Sequence, residues 1–118
     1  MSFETKVDNL WTNPHHVDLS GLIVFFIRIR APDGSEWRHV GYGDAEKQMN
    51  AFKINLRKME SGKRPRSGDA HFRLIHYKLY EAIKFDWYYS CHPLAAVATK
   101  KEAVAERRRL KRVLDCNL

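Results

Sequence analysis

The sequence predicts an α+β domain built on a small, three-stranded and largely antiparallel sheet flanked by helices, in the order β-β-α-α-β-α. Three observations carry that prediction. The 118 residues are 44% hydrophobic and 12% aromatic, which suits one packed core rather than a disordered chain. Two β-rich runs flank the turn signal Pro32-Asp33-Gly34. Three later segments repeat apolar residues at spacings of three and four, the signature of helices that bury one face.

Residues 1–20 read as an irregular segment, with Trp11, Val17 and Leu19 tucked against the core of the domain that fills residues 21–118. Gly21 to Arg30 is rich in β-branched and aromatic residues and closes on the alternation Ile27-Arg28-Ile29-Arg30, so it reads as a strand more buried at its start than at its end. Trp37 to Tyr42 is its hairpin partner. Asp44 is an N-cap for a long helix that Gly62 ends, with Ala45, Met49, Phe52, Leu56 and Met59 as its apolar stripe. After the basic loop from Gly62 to Asp69 comes a second helix, with Phe72, Ile75, Leu79, Ala82 and Ile83 facing inward. Asp86 to His92 is the third strand, bounded by Pro93. Thr99 and Glu102 form a capping box that opens the last helix, whose stripe is Ala103, Leu110, Val113 and Leu114.

The formal charge is +7, from 21 Lys and Arg against 14 Asp and Glu, and it is unevenly placed. Lys53, Arg57, Lys58, Lys63, Arg64 and Arg66 face a single acid, Glu60, within residues 53–66. A second basic segment fills residues 99–118, while residues 1–20 are net acidic. Two separated basic segments suit a polyphosphate partner, because each neutralised phosphate releases counterions, and they equally suit solvated helix faces. The apolar run Leu22 to Ile27 is far shorter than the roughly 20 residues of a membrane span. With no secretory signal at the start and only Cys91 and Cys116 as thiols, a cytoplasmic protein without a disulfide framework or a membrane association is expected.

Few residue patterns carry chemistry by themselves. Glu106 stands three residues after Ala103 and four before Leu110, at the border of the last helix's stripe. A carboxylate there is either a ligand for a hard cation such as Mg²⁺ or the ion-pair partner of Arg109. His71 and His76 are five apart, and His15-His16 lack a cysteine pattern, so neither pair has the spacing of a zinc site. His39 closes a strand just before Gly41-Tyr42-Gly43, where an imidazole can serve as a general base or simply pack. Cys91 reads as core, and there is no phosphate-binding glycine loop or nucleophile elbow.

Several short motifs together resemble the GIY-YIG endonuclease superfamily over residues 21–118. Arg38-His39-Val40-Gly41 is similar to that family's second tyrosine motif, and Asn50 to Lys63 resembles the helix that follows it. His71-Phe-Arg-Leu-Ile-His76 with Leu79 and Ala82 is similar to the next helix, and Lys101 to Glu106 resembles the metal-site helix. The resemblance implies the fold described above, Glu106 as ligand for Mg²⁺ or Mn²⁺, and Asn117 as the asparagine often found near the family's end. The family's tyrosines and arginine are not kept. The first tyrosine is replaced by Phe25 or Phe26, the second by His39, and the arginine by Gln48, Met49 or Asn50.

His39 with Tyr42 can replace the base and an orienting hydroxyl, and Lys47 or Lys53 the arginine. The resulting expectation is a nucleic-acid-binding domain, for DNA or RNA, whose nuclease site is degenerate. Its contacts would come from Lys53, Arg57, Lys63, Arg64, Arg66 and Arg73, and its site from His39, Tyr42, Glu106 and Asn117. The alternatives are an active divalent-metal-dependent endonuclease, and a protein-binding module or inhibitor that reuses the fold, marked by an exposed apolar patch beside Trp11 or Trp87.

Overall fold

The computed structural model describes residues 1–65 and 72–118. Its elements run α1 (Phe3–Asp8), β1 (Leu22–Arg30), β2 (Glu36–Asp44), α2 (Ala45–Glu60), α3 (Leu74–Lys84), β3 (Tyr88–Ala96) and α4 (Lys100–Val113). The architecture is α+β, and the three strands form one antiparallel sheet in the order β2-β1-β3. Its central strand is β1, the most apolar of the three, and its burial pattern fits pairing on both sides.

Alternation along β1 divides the core in two. Ile23, Phe25, Ile27 and Ile29 point to one face, where α1, α2 and α3 contribute Val7, Phe52, Leu56, Ile75, Leu79 and Ile83. Val24 and Phe26 point to the other, against Val40 of β2 and Ala103 and Leu110 of α4. The Asp44 side chain caps α2 by accepting from the Lys47 N–H, and Gly62 (φ 73°) follows the helix's C-cap. The capping box of α4 is present, with Thr99 accepting from the Glu102 N–H at 3.1 Å and Glu102 accepting from the Ala98 N–H at 3.0 Å.

Five expectations need correction. Phe72, read as part of the second helix's stripe, lies ahead of α3, which is capped by Arg73 and starts at Leu74. Residues 1–20 are not irregular throughout, because Ser2 caps the short helix α1, which buries Val7, with Leu10 buried just beyond it. Trp11 and Val17 do pack on the core, whereas Leu19 is exposed. Pro93 does not bound β3 but lies inside it, opposite Phe25 at a register shift. β3 is an edge strand and the shift is a bulge, the two settings in which a sheet tolerates a missing N–H. In α4, Val113 is exposed rather than part of the stripe: it is the last residue of the helix, and the next residue, Leu114, is the one that packs against the core.

Candidate functional site

The outer edge of β2 is used in two ways. Near the hairpin, the segment after α4 lies along it. The Asn117 carboxamide accepts from the Arg38 N–H at 2.8 Å and donates to the Glu36 carbonyl at 2.9 Å, and the Leu118 N–H donates to the Arg38 carbonyl at 3.1 Å. Asn117 therefore acts as a substitute strand. The continuation of the same edge is unpaired among the described residues and forms one wall of a cavity of about 350 Å³, lined by Phe25, His39, Val40, Gly41, Tyr42, Gln48, Arg73 and Arg107.

Glycines shape this wall. A Cβ at position 41 would drive into the ring of the buried Phe25, so the backbone can lie against that ring only if residue 41 is glycine. Gly43 has φ 151°, and a Cβ there would sit 2.7 Å from the Gln48 side chain. Gln48 thus packs over a bare backbone and is held at the cavity. Of the three residues considered for the arginine position of the resembled family, Gln48 is the one in the cavity. Met49 packs on the core and Asn50 is exposed.

Two arginines from other elements supply the positive charge. Arg107 of α4 lies over the Tyr42 ring, its guanidinium carbon 5.4 Å from the centroid. Arg73, the N-cap residue of α3, stands 5.8 Å from the Phe52 ring centroid, where partial desolvation lowers its pKa. Desolvation also pushes the His39 imidazole down to about 4, assisted by the positive charges of Arg73, Lys111 and Arg107 and opposed by a backbone hydrogen bond with Leu118. His39 is neutral at pH 7, and its buried Nε2 has no hydrogen-bond partner among the described residues. Beneath it, His76 of α3 is only 4% exposed. Its pKa is pushed to about 4 by burial, by Arg73 and by His39, and its Nε2 lies 3.3 Å from the Asn55 amide nitrogen.

The expected site residues divide as follows. His39 and Tyr42 share the cavity, together with Arg73 from the expected contact set. Glu106 is not among the lining residues. It pairs with Arg109, whose hydrogen bond lowers the carboxyl pKa. Asn117 is engaged with the β2 backbone. Lys53 donates to the Asp8 carbonyl at 3.1 Å, and Arg57 bridges Glu4 at 2.7 Å and Asp8 at 2.5 Å, so both tie α2 to α1. Lys63 and Arg64 are exposed after α2, and Arg66 and His71 lie outside the described residues.

Arg107 lines the cavity without having been singled out by the sequence, and His76, outside the lining, is buried beside it. Arg107 stands four after Ala103 and three before Leu110, so it borders the stripe as closely as Glu106 does. His76 occupies a stripe position three before Leu79.

The lining offers cations, an amide, a phenol and a neutral imidazole, and no carboxylate among the described residues. No group of three or more His, Cys, Asp or Glu side chains is placed to hold a metal ion among those residues either. Mg²⁺ and Mn²⁺ require oxygen donors, mostly carboxylates, so this donor set does not fit a hard divalent cation. It fits a phosphate or another oxyanion. Cys91 is buried in β3 with its thiol pushed up by burial, as a core residue should be. No helix among the described residues is long and apolar enough to cross a membrane. The chain matches no protein-family model, and neither curated proteins nor solved structures give a significant match.

Proposed function

We propose that this protein is a nucleic-acid-binding domain that seats a backbone phosphate in the cavity at the β2 edge, on a site of nuclease type whose hydrolytic chemistry is impaired or lost. One observation carries the reading: Arg73 and Arg107 converge on a cavity with no carboxylate among its described lining residues. Guanidinium groups match phosphate oxygens in geometry as well as charge, and Gln48 and Tyr42 add neutral donors beside them. The exposed Lys63 and Arg64 extend the positive surface.

A second reading, an active endonuclease, is favoured by one feature. His39 is held neutral, the state a general base needs, with Nε2 unengaged among the described residues.

Both readings are tested on the same purified protein. Binding of labelled DNA and RNA at low salt is expected for the wild type, and Arg73→Ala with Arg107→Ala should weaken it at least tenfold, the usual scale for two charge-assisted contacts. Plasmid incubated with Mg²⁺ or Mn²⁺ is expected to stay intact. Nicking that disappears in His39→Ala would establish the enzyme instead. No affinity for either nucleic acid would reject both readings in favour of a protein partner, for which the 64% exposed Phe85 beside Trp87 is the apolar contact.

A further inference from the structure

The sheet face that carries Val24 and Phe26 is only partly covered. α4 packs over their end of β1 and β2. Toward the hairpin turn, alternation brings Arg28 and Arg30 of β1, Glu36 and Arg38 of β2, and Tyr88 and Ser90 of β3 to the same face, in adjacent register positions. Arg28 pairs with Arg38 on one side and Ser90 on the other, and Arg30 pairs with Glu36 and Tyr88.

Three guanidinium groups here share Glu36, and Arg38 also reaches the Asp115 carboxylate at 3.8 Å. Glu36 contacts Arg28 at 2.7 Å, Arg30 at 3.3 Å, and Arg38. The cluster keeps a surplus of positive charge, and its arginine side chains remain 31% to 51% exposed while Glu36 is 16% exposed. Tyr88 is 51% exposed, with the guanidinium carbons of Arg28 and Arg30 at 5.9 and 5.7 Å from its ring centroid. Beside it a cavity of about 310 Å³ opens at the hairpin turn, walled by Arg30, Pro32, Trp87 and Tyr88 among others.

We propose that this half-face is a stacking platform for a single-stranded nucleic acid, in which a base lies on Tyr88 and the flanking phosphates meet Arg28, Arg30 and Arg38. The proposal rests on the nucleic-acid reading above and names the strand state that reading leaves open. An exposed aromatic ring set among guanidinium groups offers a π-face to a base and charge to the backbone on either side of it. A duplex cannot use it in this way, because its bases already stack on one another, whereas unpaired bases are free to splay onto a sheet. The charge surplus also separates this face from the apolar centre expected of a protein-docking patch.

The test compares labelled oligo(dT) with a duplex of the same length by fluorescence anisotropy at low salt, using the full chain. Tyr88→Ala should weaken oligo(dT) binding about tenfold and leave duplex binding unchanged, while Tyr88→Phe retains both. Tyr88 is half exposed, so thermal melting should show the variants folded. Equal losses on both ligands, or no loss on oligo(dT), would overturn the platform. Wild-type protein that binds the duplex alone would overturn it and leave the β2-edge phosphate site standing. Wild-type protein that binds neither would overturn both proposals and pass the face to a protein partner.

Discussion

His76 shows how a residue's setting overrides its type. It stands on the apolar stripe of α3, 4.6 Å ring to ring from Phe52, and its Nδ1 has no hydrogen-bond partner among the described residues. Burial and the charge of Arg73 disfavour its protonated form, as they do for His39 above it. In the unfolded chain a histidine takes up a proton near its ordinary value of 6.5, whereas in the folded chain each of these does so only near 4. Between those values the unfolded state binds more protons, so stability is full above about pH 6.5 and falls as the solution is acidified toward 4. For His76 the loss is bounded at roughly 3 kcal/mol. Urea unfolding at neutral and mildly acidic pH should show this decline, and His76→Leu should flatten it. An unchanged pH slope in that variant would place the titration elsewhere.

Two local signals point to His39 and Tyr42: a motif likeness, and a place at a strand's end that the structure corrects, since β2 runs on to Asp44 and holds both residues inside it. Neither signal reveals which side chains from distant elements come to meet them. Arg73 and Arg107 are separated from His39 by whole helices, so only the packing of α3 and α4 around the β2 edge brings them together.

At the scale of elements, periodicity and helix punctuation both point to the structure, and the Asp44 cap, Gly62 and the Thr99–Glu102 box form as read. The long strand and helix patterns of β1, α2 and α3 all formed close to the expected bounds. The six residues of α1 carry too little periodicity to reveal a helix, although the Ser2 cap stands in the sequence. Proline reads as a stop to a strand, a rule that holds for interior strands and fails at the bulged edge where Pro93 sits.

α1 also changes what the first basic segment does. Lys53 and Arg57 were expected to contact nucleic acid, yet the structure turns them toward the acidic α1. These ion pairs are solvent-exposed and each contributes about 1 kcal/mol or less. Val7, fully buried beneath the helix, contributes more. Chemical denaturation should therefore find Val7→Ala destabilising by about 2 kcal/mol and Arg57→Ala by at most half that amount. A larger loss from Arg57→Ala would mean that charge, not packing, holds α1 in place.

Seen as a whole, the molecule has, among the described residues, one sheet face covered by three helices, the other half-covered by α4, and a formal charge of +7 over the chain. The two proposed contact regions lie apart on this frame, the phosphate cavity along the open part of the β2 edge and the stacking face toward the hairpin turn. Both hold phosphate, but the side chains that the variants remove differ in what they release when a strand binds. Arg73 and Arg107 neutralise phosphate and expel counterions, so each engaged phosphate adds about −0.7 to the slope of log affinity against log salt for a single strand. A base stacked on Tyr88 expels none.

Titrations of oligo(dT) over a range of salt should therefore separate the two. The Arg73→Ala and Arg107→Ala double variant should bind more weakly with a shallower slope. Tyr88→Ala should bind more weakly with the wild-type slope, giving a line parallel to and below it. If Tyr88→Ala also flattens the slope, the tyrosine acts by positioning Arg28 and Arg30 on phosphate rather than by stacking. If the arginine variant leaves the slope unchanged, the cavity holds something other than the strand's backbone.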